Sequence, residues 1–170
     1  MTDFDIAALY AALDAERRAR GLSWQRLARE MSDGFAGSLA TPISPSTLTG
    51  MRNRSQVEGD GVLQMLLWLK RTPESFVPGY KDSGTASVTL PCVGRDRILR
   101  FDVKAIHAAL DARRVERGLT WAQVAVELRG FSADGLTRMA KGGRVGFPSV
   151  MRLVQWLDRP AASLTHATTG

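Results

Sequence analysis

The chain has 170 residues, with 23 Lys plus Arg against 17 Asp plus Glu for a formal charge of +6, and 44% apolar with 24% charged residues. Those fractions belong to an ordinary globular chain and exclude fibrous and disordered classes, which need a Gly/Pro bias or an apolar deficit that 16 Gly and 7 Pro do not supply. A single cysteine, Cys92, excludes an internal disulfide, and two well-separated histidines, His107 and His166, leave no zinc-finger spacing, so neither a structural metal nor a cofactor is expected.

From the N-terminus, Ile6, Leu9, Tyr10 and Leu13 fall at i, i+3, i+4 and i+7, the period of a helix with one apolar face. Gly21 ends this helix 1, since glycine takes the left-handed conformation of a helix C-terminus at little cost. Ser23 offers an N-cap oxygen to helix 2, whose apolar positions are Trp24, Leu27, Ala28 and Met31. After a loop over 32–42, Ser44-Pro45 reads as an N-cap with proline at the first helical position, opening a short helix 3 through Leu48 and Met51. Asp60 precedes helix 4, with Val62, Met65, Leu66 and Leu69 on its apolar face, and Thr72-Pro73 suggests a short fifth helix. Only Ser87 to Leu90 alternates as a strand would, and Pro91 limits it.

The series then repeats. Phe4 to Met31 matches Phe101 to Leu128 at 15 of 28 positions with an offset of 97, and Ile43 to Val77 aligns with Phe131 to Thr165 at an offset of 88. The second copy has Thr120 with Gln123 as a capping-box pattern, Ser132 opening helix 3 through Leu136 and Met139, and Ser149 before helix 4. The expected organisation is all-α, in two tandem domains of four to five helices: domain 1 over 1–77 with its inserted loop 32–42, a linker over 78–100, and domain 2 over 101–170. The acidic start Met1-Thr2-Asp3-Phe4-Asp5 is not of signal-peptide type, and the longest apolar stretch, Val62 to Leu69, is far short of the roughly 20 residues a membrane span needs. The expected compartment is the cytoplasm, with no membrane partner.

Short second and third helices within a four- to five-helix unit are the arithmetic of a helix-turn-helix domain. On Leu119-Thr120-Trp121, Ala125, Leu136-Thr137-Arg138-Met139 and Lys141-Gly142-Gly143, the sequence resembles the lambda-repressor-like, or Xre, family of bacterial DNA-binding regulators. The resemblance implies that helix 3 lies in the major groove while the N-terminus of helix 2 and the loop after helix 3 hold phosphates. It assigns base contacts to Pro45 and Ser46 in the first copy and to Ala133, Asp134 and Arg138 in the second, with Gly50 at the position equivalent to Arg138. Arg138 stands out, because a guanidinium donates two parallel hydrogen bonds to guanine O6 and N7; its alternative is a solvated arginine on a helix face. Lys141, Gly143 and Arg144 suit phosphates in the second copy, as do Arg52 and Arg54 in the first, with generic surface charge as the alternative. Ser44 and Ser132 stand at the same ends of helix 3 as phosphate ligands, or as N-caps. Trp24 and Trp121 occupy the helix-2 position where the family often has a phosphate-binding glutamine; an indole N–H can reach a phosphate, and core packing is the competing role.

The copies differ in charge. Residues 1–85 carry 10 basic and 10 acidic side chains, and residues 86–170 carry 13 and 7, so the whole excess of +6 lies in the second half. Phosphate neutralisation supplies much of nucleic-acid affinity, so the second domain is expected to be the DNA anchor of a single-chain pseudo-dimer that reads an asymmetric, bipartite double-stranded site and regulates transcription. The rival reading is a protein-interaction module, an antitoxin or partner-binding scaffold, in which the neutral first domain and its loop residues Phe35 and Leu39 meet a homo-oligomer or protein partner. There is no Gly-x-Ser-x-Gly elbow, phosphate loop or paired carboxylate set, so no enzymatic activity is expected.

Overall fold

A computed structural model describes residues 1–80 and 88–170. In the first copy the Asp5 carboxylate accepts from the Ala8 N–H and opens α1 (Ile6–Ala19), which buries Leu9 and Leu13 completely. Ser23 caps α2 (Trp24–Asp33) by accepting from Arg26 N–H, and Ser44 caps α3 (Pro45–Gly50) by accepting from Thr47 N–H. A single 3-10 turn, Met51–Asn53, extends α3, and α4 (Gly59–Leu69) supplies Val62, Leu63, Met65 and Leu66 to the core. The fifth helix is reduced to a 3-10 turn, Pro73–Phe76.

The second copy is built the same way. Strand β1 (Ile98–Phe101) leads into α5 (Val103–Glu116), capped by Asp102 on the Ala105 N–H. The capping box between Thr120 and Gln123 forms and starts α6 (Trp121–Leu128), and Ser132 accepts from Gly135 N–H to start α7 (Ala133–Arg138). A 3-10 turn over Met139–Lys141, α8 (Phe147–Leu157), a second 3-10 turn over Ala161–Leu164 and β2 (Thr165–Thr168) complete the chain.

The chain is thus mostly helical, as the all-α expectation had it, with the addition of a small sheet in which β1 and β2 pair antiparallel, Ile98 opposite Thr168 and Phe101 opposite Thr165. The strand foreseen at Ser87 to Leu90 is absent over 88–90, and Ser87 lies outside the described residues. The first copy cannot match this sheet. Val77 to Tyr80 stand where the second copy has β2, and there Pro78 lacks an N–H while Gly79 has φ +72°. The two fourth helices also start earlier than expected, at Gly59 and Phe147, with no side-chain cap; their ends are set by chain pairing instead.

That pairing joins the copies. Glu58 and Gly146, equivalent at the offset of 88, form an antiparallel bridge with each other, and Phe147 N–H donates to Val57 O at 2.9 Å. A bridge between equivalent residues marks a pseudo-two-fold axis, and the contacts around it are reciprocal. The segment before α1 docks on α8: Asp3 accepts two hydrogen bonds from Arg152 at 2.6 and 3.0 Å, Thr2 exchanges two with Gln155, and Phe4 packs edge-on to Phe147 at 4.5 Å. The segment before α5 docks on α4: Gln64, buried, donates to Leu99 O at 3.0 Å, Arg100 pairs with Asp60 at 2.8 Å, and the Phe101 ring lies over Gly59. One hydrophobic core therefore runs through both copies. Leu99, assigned to a linker by the sequence, is part of it and fully buried, and its neighbour Ile98 is buried as well.

The inserted loop serves the same assembly. Phe35 is buried, Gly37 N–H donates to Arg95 O at 2.7 Å and Leu39 N–H to Thr169 O at 2.6 Å, so the loop covers the approach to the sheet.

Candidate nucleic-acid interface

The third helix of each copy is held from beneath and open above. Leu48 and Met51 bury the inner side of α3 and its 3-10 extension, and Leu136 and Met139 do the same for α7. Outward remain Ser46, Thr49, Arg52 and Arg54 in the first copy, and Asp134, Thr137, Arg138, Lys141, Gly143 and Arg144 in the second. Pro45 and Ala133 are half-buried at the helix starts. The loops that follow the two helices, 54–58 and 142–146, both run to the pseudo-two-fold bridge.

Most cations on this surface are unspent. Arg138 pairs with Asp134 one turn back at 3.0 Å, and Arg144 reaches across the axis to Glu58 at 3.5 Å, but all four side chains are more than two-thirds exposed. Exposed pairs of this kind are worth about 0 to 1 kcal/mol and yield readily to a stronger anion. Arg52, Arg54 and Lys141 form no ion pair among the described residues. In the turn after α7, Gly142 at φ +82° and Gly143 at φ +124° hold a backbone that L side chains rarely adopt, and nothing stands within 4 Å of where a Cβ on Gly143 would lie.

Ser44 and Ser132 both serve as N-caps, with the Ser44 hydroxyl also 2.9 Å from Ser46 Oγ. The two tryptophans are packed identically: Trp24 stacks on Tyr10 at 5.4 Å beneath Arg17, and Trp121 stacks on His107 at 5.2 Å beneath Arg114. Each of those arginines also bonds an aspartate one turn back, Asp14 or Asp111, and the carbonyl of Leu22 or Leu119. Such indoles brace the joint between the first and second helices. Beside the axis, Gln56, Glu58, Asp60, Arg100, Gly143 and Arg144 border a cleft of about 270 Å³.

One arrangement escaped the sequence reading. The Arg54 guanidinium folds back over α3, with Nε and Nη2 each 3.6 Å from where a Cβ on Gly50 would stand. The signal was present: at the offset of 88, Gly50 and Arg54 correspond to Arg138 and Gly142, an exchange of the same two residue types across one helical turn.

Among the described residues, no three or more His, Cys, Asp or Glu gather as a metal site would require, and no helix is long and apolar enough to cross a membrane. The chain matches no protein-family model, no curated protein and no solved structure.

Proposed function

We propose that the chain is a sequence-specific double-stranded DNA-binding regulator of transcription, built as a single-chain pseudo-dimer of two lambda-repressor-like helix-turn-helix domains. The observation that carries the reading is the bridge between the equivalent residues Glu58 and Gly146, to which the turns after both third helices lead, with Arg52 and Arg54 exposed after α3 and Arg138, Lys141 and Arg144 exposed on and after α7. B-DNA offers successive major-groove faces about 34 Å apart, and two helices related by a two-fold axis are the arrangement that meets them. Docking of the copies, rather than linker length, fixes the separation, so the ordering cost of the second contact is met in folding.

The second domain is the principal anchor in this reading. It carries the whole charge excess and presents Arg138, Lys141 and Arg144 around a glycine turn that lets backbone amides approach a phosphate. Titration of the full chain against duplex DNA at several salt concentrations tests it: log K should fall linearly with log salt, with a slope of about −0.9 per phosphate neutralised. Lys141→Ala with Arg144→Ala should flatten that slope by about 2, and more than Arg52→Ala does. Salt-independent binding, or none, would remove the DNA reading. The rival protein-interaction reading loses support at Phe35, which is buried at 3% exposure and so offers nothing to a partner. Leu39, 87% exposed, stands alone, and scattered exposed apolar residues are ordinary.

A further inference from the structure

Resting on the DNA reading, we propose that Arg54 is the base-reading arginine of the first domain, supplying from the following turn the guanidinium that Gly50 lacks. In the second domain the exposed end of the third helix carries Arg138, with Asp134 one turn before it. The equivalent positions of the first domain are Gly50 and Ser46, which by sequence leave that end of α3 without a cation. The structure fills the gap. Arg54 stands just past the 3-10 turn, its N–H donates to Met51 O at 3.1 Å, and its side chain returns along the helix to cover Gly50. The guanidinium lies in van der Waals contact with the place where a side chain on residue 50 would start, on the face that also bears Ser46 four residues earlier.

The second domain shows the complementary solution. There the position equivalent to Arg54 is Gly142, at φ +82°, and the space a Cβ would take is covered by the Lys104 stem, whose Cε is 3.3 Å away. Each domain thus carries one arginine and one glycine at this pair of positions, in opposite order. Arg54 differs from Arg138 in having no carboxylate partner among the described residues, since Ser46 replaces Asp134. Nε, Nη2 and Cζ of Arg54 lie 3.6, 3.6 and 3.7 Å from where a Cβ on Gly50 would stand, so the guanidinium is laid over Gly50, and a guanidinium can donate the two parallel bonds that guanine O6 and N7 accept. The first half-site should therefore contain its own specified guanine, in a position shifted from that of the second because the arginine arrives from a different backbone position.

Selection of bound duplexes from a random pool, run with the full chain and its variants, tests this. The wild-type chain should enrich a bipartite site with a specified guanine in each half. Arg54→Gln should lose the specified guanine of one half only and weaken binding to the wild-type site roughly 5- to 150-fold, while Arg138→Gln loses the other. Gly50→Arg combined with Arg54→Gly, which writes the second domain's order into the first, should restore a specified guanine to that half. If Arg54→Gln lowers affinity for all sequences alike and leaves both guanines enriched, Arg54 holds phosphate and the assignment is overturned. Loss of both halves in Arg54→Gln, with thermal unfolding unchanged, would also overturn it. A wild-type chain that enriches nothing overturns the DNA reading itself, an outcome distinct from either.

Discussion

At the scale of single residues, the ion pair between Asp3 and Arg152 ties the first copy's N-terminus to the second copy's last long helix. The hydrogen bond from Arg152 holds the Asp3 carboxyl below its ordinary value of 3.8, and the same bond raises Arg152. A carboxylate depressed in the folded state contributes stability that is full above the unfolded value and is lost as pH falls through the lower folded one. Asp3 is 62% exposed, so screening keeps the contribution to about 1 kcal/mol or less. Asp3→Asn should accordingly lower the melting temperature slightly at pH 7, and the difference from wild type should shrink as acid carries the pH below 3.8 and through the lower folded value, as followed by circular dichroism; a difference that does not shrink in acid would mean that packing, not charge, holds the segment. Glu127 is depressed in the same direction, first by Arg117 and then by the indole N–H of Trp156, so three hydrogen bonds from two side chains orient this carboxylate.

At the scale of elements, side-chain signals legible in the sequence located the helices wherever the chain itself supplied the terminus. Gly21 and Gly118, both at φ +64°, end the first helices, and Ser23, Thr120, Ser44 and Ser132 cap the elements they were assigned to. Asp60 and Ser149 misled, because α4 and α8 begin at the bridge between copies, a contact no local pattern encodes. The strand Ile98–Phe101 was hidden for a related reason: Ile98, Leu99 and Phe101 are all buried, so the alternation of a half-exposed strand is missing. At the candidate interface, residue types were legible but placement was not, as Arg54 shows by leaving the loop to cover Gly50. Ser132 allows capping and phosphate binding to be separated. Ser132→Ala should cost about 1 kcal/mol of stability, whereas Ser132→Asp keeps a capping oxygen and should be nearly neutral. If α7 starts beside a phosphate, the aspartate variant, despite its stability, should bind DNA at least as weakly as the alanine variant, and a filter-binding titration would show the order.

At the scale of the whole molecule, two repeats of nearly equal size share one core, and Phe147 is where its cooperativity can be tested. Its ring is fully buried against Phe4 at 4.5 Å and Phe101 at 5.6 Å, residues that begin the two copies, while its backbone N–H bonds Val57 of the first. The equivalent of Phe147 is Gly59, where a Cβ would stand 3.3 Å from Val145 O and 3.5 Å from the Phe101 ring, so the axis accommodates one large ring and one glycine but not two rings. The copies are consequently matched partners rather than interchangeable ones, and on the proposed DNA reading the packing, like the differing third helices, calls for an asymmetric site. Removing the ring takes contacts from both copies at once. Phe147→Ala should destabilise by about 3 to 5 kcal/mol, the usual cost of lost transfer energy plus a cavity. Because the core is shared, calorimetry of the wild-type chain should show a single transition with equal calorimetric and van't Hoff enthalpies, and the variant should move that transition as a whole to lower temperature. Two transitions, of which Phe147→Ala shifts only the second copy's, would mean that the domains fold separately and that the spacing of the two third helices is set by the intervening chain after all.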